Sequence, residues 1–112
     1  MRWMMEEDCG CRRKANRKKV DHYISLKECR RGSEHLSVKC LDVSVGGCSV
    51  EADETLRRDG YVSLRMSLGG AVVGALGKVV SRVAGGALPR YSIKFVVLPD
   101  YETRTVESFT AM

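Results

Sequence analysis

The chain has 112 residues, enough for one domain with a modest core of its own. It is 44% hydrophobic and 29% charged, and no run of about 18 apolar residues occurs, which excludes a helical membrane span. Its net charge of +5 is concentrated in one place: residues 12–19 carry six cations and no acid, while the rest carries 13 basic against 14 acidic residues. That distribution excludes a generally polycationic protein and points to a local anionic ligand.

The start, "MRWMMEEDCGC", has no continuous apolar stretch and turns acidic, so it does not read as a signal peptide. Five cysteines, an odd number without a secretory signal, read as reduced thiols of a cytoplasmic protein. Cys9-Gly-Cys11 has a one-residue gap, shorter than structural zinc sites use, and no second ligand pair accompanies it, so no metal is assigned. Residues 1–11 are expected to be a flexible N-terminal segment. Residues 12–19 show no period and are expected to be an arm that acquires structure with a ligand.

From residue 20 the dominant period is two. Val20, Ile24 and Leu26 alternate with Asp21, Ser25 and Lys27, and "RRGSE" then supplies a turn. Leu36, Val38 and Cys40 share one face of the next strand, but in "LDVSV" the apolar set becomes Leu41, Val43 and Val45. This one-residue change of phase predicts a β-bulge or a change of sheet, with Asp42 and Ser44 both turned away from the core. Cys48, Val50 and Ala52 point inward in the next strand, and "ADETLRRDG" is a polar connection with room for one helical turn.

"YVSLRMSL" alternates most regularly, with Val62, Leu64, Met66 and Leu68 inward. "AVVGALGKVVSRVA" is a longer strand in which Gly74 and Gly77 predict bending, and "YSIKFVVL" places Tyr91, Ile93, Phe95 and Val97 on one face. Pro99 and Asp100 begin a short helix whose Val106, Phe109 and Met112 recur at helical spacing. The prediction is a mainly β fold, a small six-stranded antiparallel barrel or sandwich with a short C-terminal helix.

Two motifs stand apart from this pattern. Arg13-Lys-Ala-Asn-Arg17 is an RxxxR sequence directly before the first strand, and Asp42-Val-Ser44-Val-Gly46-Gly47 is a DxSxxG sequence at the phase change. In this order, before these strands and this helix, they resemble the two-part signature of PilZ domains, receptors for the bacterial second messenger cyclic di-GMP. The resemblance covers roughly residues 12–111, within one domain of residues 12–112, with "DGYVSLRMSL", "LGKVVSRV" and "YSIKFVVL" similar to the family's fourth to sixth strands. Ser92 departs from the glycine that many members carry there. The likeness implies a split-barrel type of six-stranded antiparallel β-barrel. It also implies a ligand site made of Arg13, Arg17, Asp42, Ser44 and Gly47, with Gly46 in the same turn. Arg12, directly before RxxxR, occupies a position that in the family favours two intercalated ligand molecules over one.

The residue chemistry agrees with that ligand. An arginine fork matches the O6 and N7 acceptors of guanine, grips phosphate and stacks on a purine. A carboxylate such as Asp42 accepts from the guanine N1–H and N2–H₂ donors, and the Ser44 hydroxyl suits phosphate or a base edge. Gly47 has no Cβ, so a ligand can approach the backbone and the chain can turn. Binding is expected to order residues of about 9–19 over the barrel and create a surface for an effector protein in trans.

Two other readings belong to different classes. A PilZ-like scaffold would act by protein contact with little nucleotide binding, and the intact arginines argue against it. A nucleic-acid-binding barrel would need interleaved aromatics, yet the chain has seven in all and none in residues 12–19. His22 and His35 have no nucleophile arranged around them, so no catalytic residues are assigned and an enzyme is not expected.

Overall fold

A computed structural model describes residues 17–30, 32–53 and 55–111. Six strands follow in chain order: β1 (Lys18–Glu28), β2 (Leu36–Ser44), β3 (Gly47–Glu51), β4 (Tyr61–Leu68), β5 (Ala71–Gly85) and β6 (Leu88–Val97). One helix, α1 (Asp100–Thr110), ends the fold. All neighbouring strands are antiparallel. The sheet closes on itself in the order β1-β2-β3-β6-β5-β4, which removes the free edges an open sheet would expose.

Period-two alternation fills the barrel. Ile24, Leu26, Val38, Cys40, Val43, Cys48, Val50, Val62, Leu64, Met66, Val73, Val79, Tyr91 and Ile93 are buried in one cluster. Tyr91 is wholly buried, and its hydroxyl accepts from the Leu56 amide at 3.1 Å and from the Arg82 Nε at 3.3 Å. The polar handle of this large ring is thereby satisfied, and the 52–60 connection is pinned to the barrel.

The phase change in β2 is a bulge. Cys40 pairs with Val50 and Asp42 with Ser49, so Leu41 has no partner on β3. On the other side Asp42 pairs with Lys19 and Cys40 with His22, so Leu41 faces two residues of β1. The extra residue sends Val43 into the core and leaves Asp42 on the outer face.

β5 and β6 carry two further irregularities: Val80 is extra on β5, and Val96 is extra on β6. Gly77 belongs to the same region, since a Cβ there would stand 2.5 Å from Ile93 Cγ2 and 3.2 Å from the Lys94 carbonyl oxygen. Gly74 has no such close neighbour.

Helix α1 rests near the end of the barrel that holds the start of β1 and the β4–β5 turn. Val106 is fully buried and Phe109 packs on the core cluster. Asp100 and Glu102 sit in the first helical turn, where the helix dipole favours acids. The last turn has no base of its own; instead Lys18 of β1 places Nζ 4.4 Å from the Phe109 ring centre and 3.5 Å from the Phe109 carbonyl oxygen. A cation there complements both the ring face and the helix C-terminus.

Several expectations are corrected. Val97 is 52% exposed instead of inward, because the extra residue at Val96 ends the alternation after Phe95. The described part of the 52–60 connection contains no helical turn; Leu56 is buried there, and Asp59 takes a positive φ of 64°. Lys18 and Lys19 belong to β1 and not to a preceding arm. Residues 1–16 and Met112 lie outside the described residues, and so do the expectations for Cys9, Cys11, Arg12, Arg13 and the ordering of the arm. Among the described residues no helix is long and apolar enough to cross a membrane.

Candidate ligand-binding site

The outer face around Asp42 brings the second arginine of RxxxR to the DxSxxG motif. Arg17 stands just before β1, and its Nη1 donates to Asp42 Oδ1, an ion pair between residues 25 apart in sequence. The Arg17 side chain is 52% exposed and that of Asp42 23%, so the pair faces solvent. Lys19 lies directly across from Asp42 on β1, and Ser49 directly across on β3. Asp42 therefore sits between a guanidinium, an ammonium-bearing residue and a hydroxyl-bearing one.

Ser44, expected to turn away from the core with Asp42, is instead buried, at 4% exposed, because the β2–β3 turn engages it. Its hydroxyl accepts from the Gly46 amide at 3.2 Å and donates to the Gly47 carbonyl oxygen at 3.5 Å. Those bonds hold the two-residue connection between β2 and β3, in which Ser44 pairs with Gly47. The Gly46 carbonyl in turn accepts from the Phe95 amide at 2.9 Å, tying the turn to β6. Gly46 is exposed, and a Cβ on it would meet only Ser44 Oγ, at 3.8 Å.

Gly47 is buried, for a reason the sequence does not disclose. A Cβ there would stand 2.1 Å from the Ile93 carbonyl oxygen and 3.2 Å from Lys94 Cα. The glycine lets β3 lie close against β6. The structure thus brings Arg17, Asp42, Ser44, Gly46 and Gly47 to one end of β2, while Arg12 and Arg13 fall outside the described residues.

Under this face lie two thiols, Cys40 and Cys48, both buried. Cys40 Sγ donates to the Asp42 carbonyl oxygen at 3.4 Å. Its hydrogen bond with Cys40, together with burial, pushes the Cys48 thiol well above the usual range, so it stays protonated at neutral pH. Cys29 is exposed at the other end of β1. Among the described residues no cluster of three or more His, Cys, Asp or Glu could hold a metal ion.

Sequence reasoning missed what strand order adds. β6 lies between β3 and β5, which places Lys94 directly across from Gly47, and Lys78 directly across from Lys94. No local pattern announces that neighbourhood. It depends on the pairing of Gly47 with Lys94, 47 residues on, and on the register of the β5–β6 hairpin that sets Lys78 opposite Lys94.

A family model described as the PilZ domain matches residues 12–111. No curated protein sequence matches the chain. Three of the solved structures with a similar fold illustrate the likeness. One is the inhibitor of motility MotI/DgrA of Bacillus subtilis, with a TM-score of 0.76 and 10% identity over 90% of this chain and 50% of that one. The second is the PilZ domain of YcgR from Escherichia coli with c-di-GMP, with a TM-score of 0.66 and 15% identity over 88% of this chain and 89% of that one. The third is the MrkH–c-di-GMP complex of K. pneumonia, with a TM-score of 0.69 and 16% identity over 88% of this chain and 51% of that one. The chain spans about half the length of the MotI/DgrA and MrkH chains. At these identities the likeness speaks for the fold.

Proposed function

The chain belongs to the PilZ domain family, and from that premise we propose that it is a receptor for cyclic di-GMP, bound on the outer face around Asp42. The observation that carries this reading is the Arg17–Asp42 ion pair, in which the second arginine of RxxxR meets the aspartate of DxSxxG. Two of the structures of similar fold hold c-di-GMP, which supports the choice of ligand.

The geometry suggests how a ligand would enter. Arg17 and Asp42 satisfy each other across the mouth of the site. Exposed ion pairs of this kind contribute roughly 0–1 kcal/mol, so opening one costs little. A guanine offers both groups more: its N1–H and N2–H₂ donate to the Asp42 carboxylate, while O6, N7 and phosphate accept from arginine. Charge-assisted hydrogen bonds contribute roughly 1.5–3 kcal/mol each, so the exchange favours binding. Arg13 is four residues from Arg17, within about 14 Å of it along an extended chain, and can close over the same ligand. Ser44 and the Gly46–Gly47 turn hold the platform on which it rests. The output passes to an effector protein that recognises the ligand-bound face.

Substitution tests the assignment. Arg13→Ala and Arg17→Ala are each expected to weaken cyclic di-GMP binding roughly ten- to hundredfold, from the loss of charge-assisted bonds. The melting temperature of Arg17→Ala should stay within a degree or two of wild type, because an exposed pair adds little stability. Affinities within twofold of wild type in both variants would remove the site from this face.

A further inference from the structure

The pairing that begins at Asp42 and Gly47 continues across the barrel. Gly47 on β3 pairs with Lys94 on β6, and Lys94 pairs with Lys78 on β5. Ile93 and Phe95 on either side of Lys94 are buried, as are Gly77 and Val79 on either side of Lys78. Both lysines therefore project from the outer face, the face that carries Asp42. Their position is fixed from below: Gly47 and Gly77 press on β6 at Ile93 and Lys94 from the two neighbouring strands, so the backbone of Lys94 is held between them.

Two features set this pair apart. Like charges directly opposite on neighbouring strands destabilise a sheet. Neither lysine makes an ion pair among the described residues; Lys27 and Arg65 make none either, but they stand opposite serine or glycine and not opposite another cation. An unneutralised pair of ammonium groups beside a ligand face draws an anion to that place. Lys94 lies one strand spacing from Gly47 and Lys78 two, about 5 and 10 Å away. A cyclic dinucleotide carries two phosphates on opposite sides of its ring, so a ligand anchored at Arg17 and Asp42 through guanine still has phosphate to offer such a row.

We propose that Lys94 and Lys78 form a phosphate-binding extension of the site, taking a phosphate of the ligand that Arg17 and Asp42 anchor through guanine. The proposal rests on the reading that this face binds cyclic di-GMP. The two lysines make the ligand lie across β2, β3, β6 and β5. They also make binding depend on salt more steeply than the arginine motif alone requires.

The test is titration of cyclic di-GMP into the full chain and three variants at low and high sodium chloride: Lys78→Gln/Lys94→Gln, Arg17→Ala, and Lys27→Gln as a control that lowers net charge away from the site. The double lysine variant is expected to bind about tenfold more weakly at low salt and to lose much of the salt dependence, with Lys27→Gln within twofold of wild type. Relief of the opposed charges should leave the melting temperature of the double variant equal to wild type or slightly higher, which separates a lost contact from a lost fold. If the double variant matches wild type in affinity and salt dependence while Arg17→Ala does not bind, the extension is refuted and the site stands. If wild type itself does not bind, both fall together. An equal loss in Lys27→Gln would assign the effect to net charge and refute the extension.

Discussion

Gly46 and Gly47 are adjacent in the sequence and opposite in physical role. A methyl group on Gly47 would meet the Ile93 carbonyl oxygen at 2.1 Å, and a backbone carbonyl in a paired strand cannot rotate away. Gly47→Ala should therefore push β3 from β6 and destabilise the fold by roughly 2–3 kcal/mol, the scale of an overpacked interior. Gly46→Ala adds a methyl group to open space and should stay within about 0.5 kcal/mol of wild type. Urea midpoints of the two variants decide the point; equal midpoints would show that β3 and β6 are not held as close as the structure has them. Sequence chemistry reads Gly47 as room for a ligand and Gly46 as its neighbour in the turn. The contact with Ile93 shows that Gly47 is needed by the barrel before any ligand arrives. Ser44 is similar, since its hydroxyl is already engaged by the turn.

At the scale of elements, the bulge at Leu41 and the docking of α1 organise the site. The bulge is what allows one strand to bury Cys40 and Val43 while presenting Asp42 outward. It was legible in the sequence because an inserted residue is the simplest way to shift the phase of a period-two pattern within one strand. Most inward sets of the strands were legible for the same reason; the exceptions are Leu41, taken up by the bulge, Ser44, which is buried, and Val97, where the extra residue Val96 breaks a pattern that the local sequence continues. Strand order was not legible: that β1 closes on β4, and that β6 inserts between β3 and β5, is decided by burial of the whole sheet. Hence Arg17 and Asp42 could be named from motifs, while Lys94 and Lys78 could be found only from pairing. The helix was readable from Pro99 and from Val106 and Phe109, but its contact with Lys18 was not. Its docking has a measurable consequence. Val106→Ala removes two buried methyl groups and should lower stability by about 2 kcal/mol in urea unfolding. An unchanged midpoint would mean that α1 is not packed on the barrel.

Over the whole molecule the charges sort by location. Arg30 and Arg90 are each held by a glutamate, Glu28 and Glu51. Near the start of β1 and the β2–β3 turn, Arg17, Lys18 and Lys19 precede Asp42, and Lys94 and Lys78 extend beyond Gly47 with no acid paired to them among the described residues. Arg17, Lys18 and Lys19, the described end of the basic run, thus lie beside Asp42, and Lys94 and Lys78 add cationic charge on the far side of Gly47. A field of that shape attracts a small polyanion and needs one acceptor to choose a guanine. The decisive experiment is isothermal titration of the protein with cyclic di-GMP, with GTP and cyclic di-AMP in parallel. Saturable binding of cyclic di-GMP that neither control reproduces is the expected result, with two ligands per chain if Arg12 acts as its position in the family implies. Absence of binding at high micromolar cyclic di-GMP, or equal binding of cyclic di-AMP, would overturn the receptor reading.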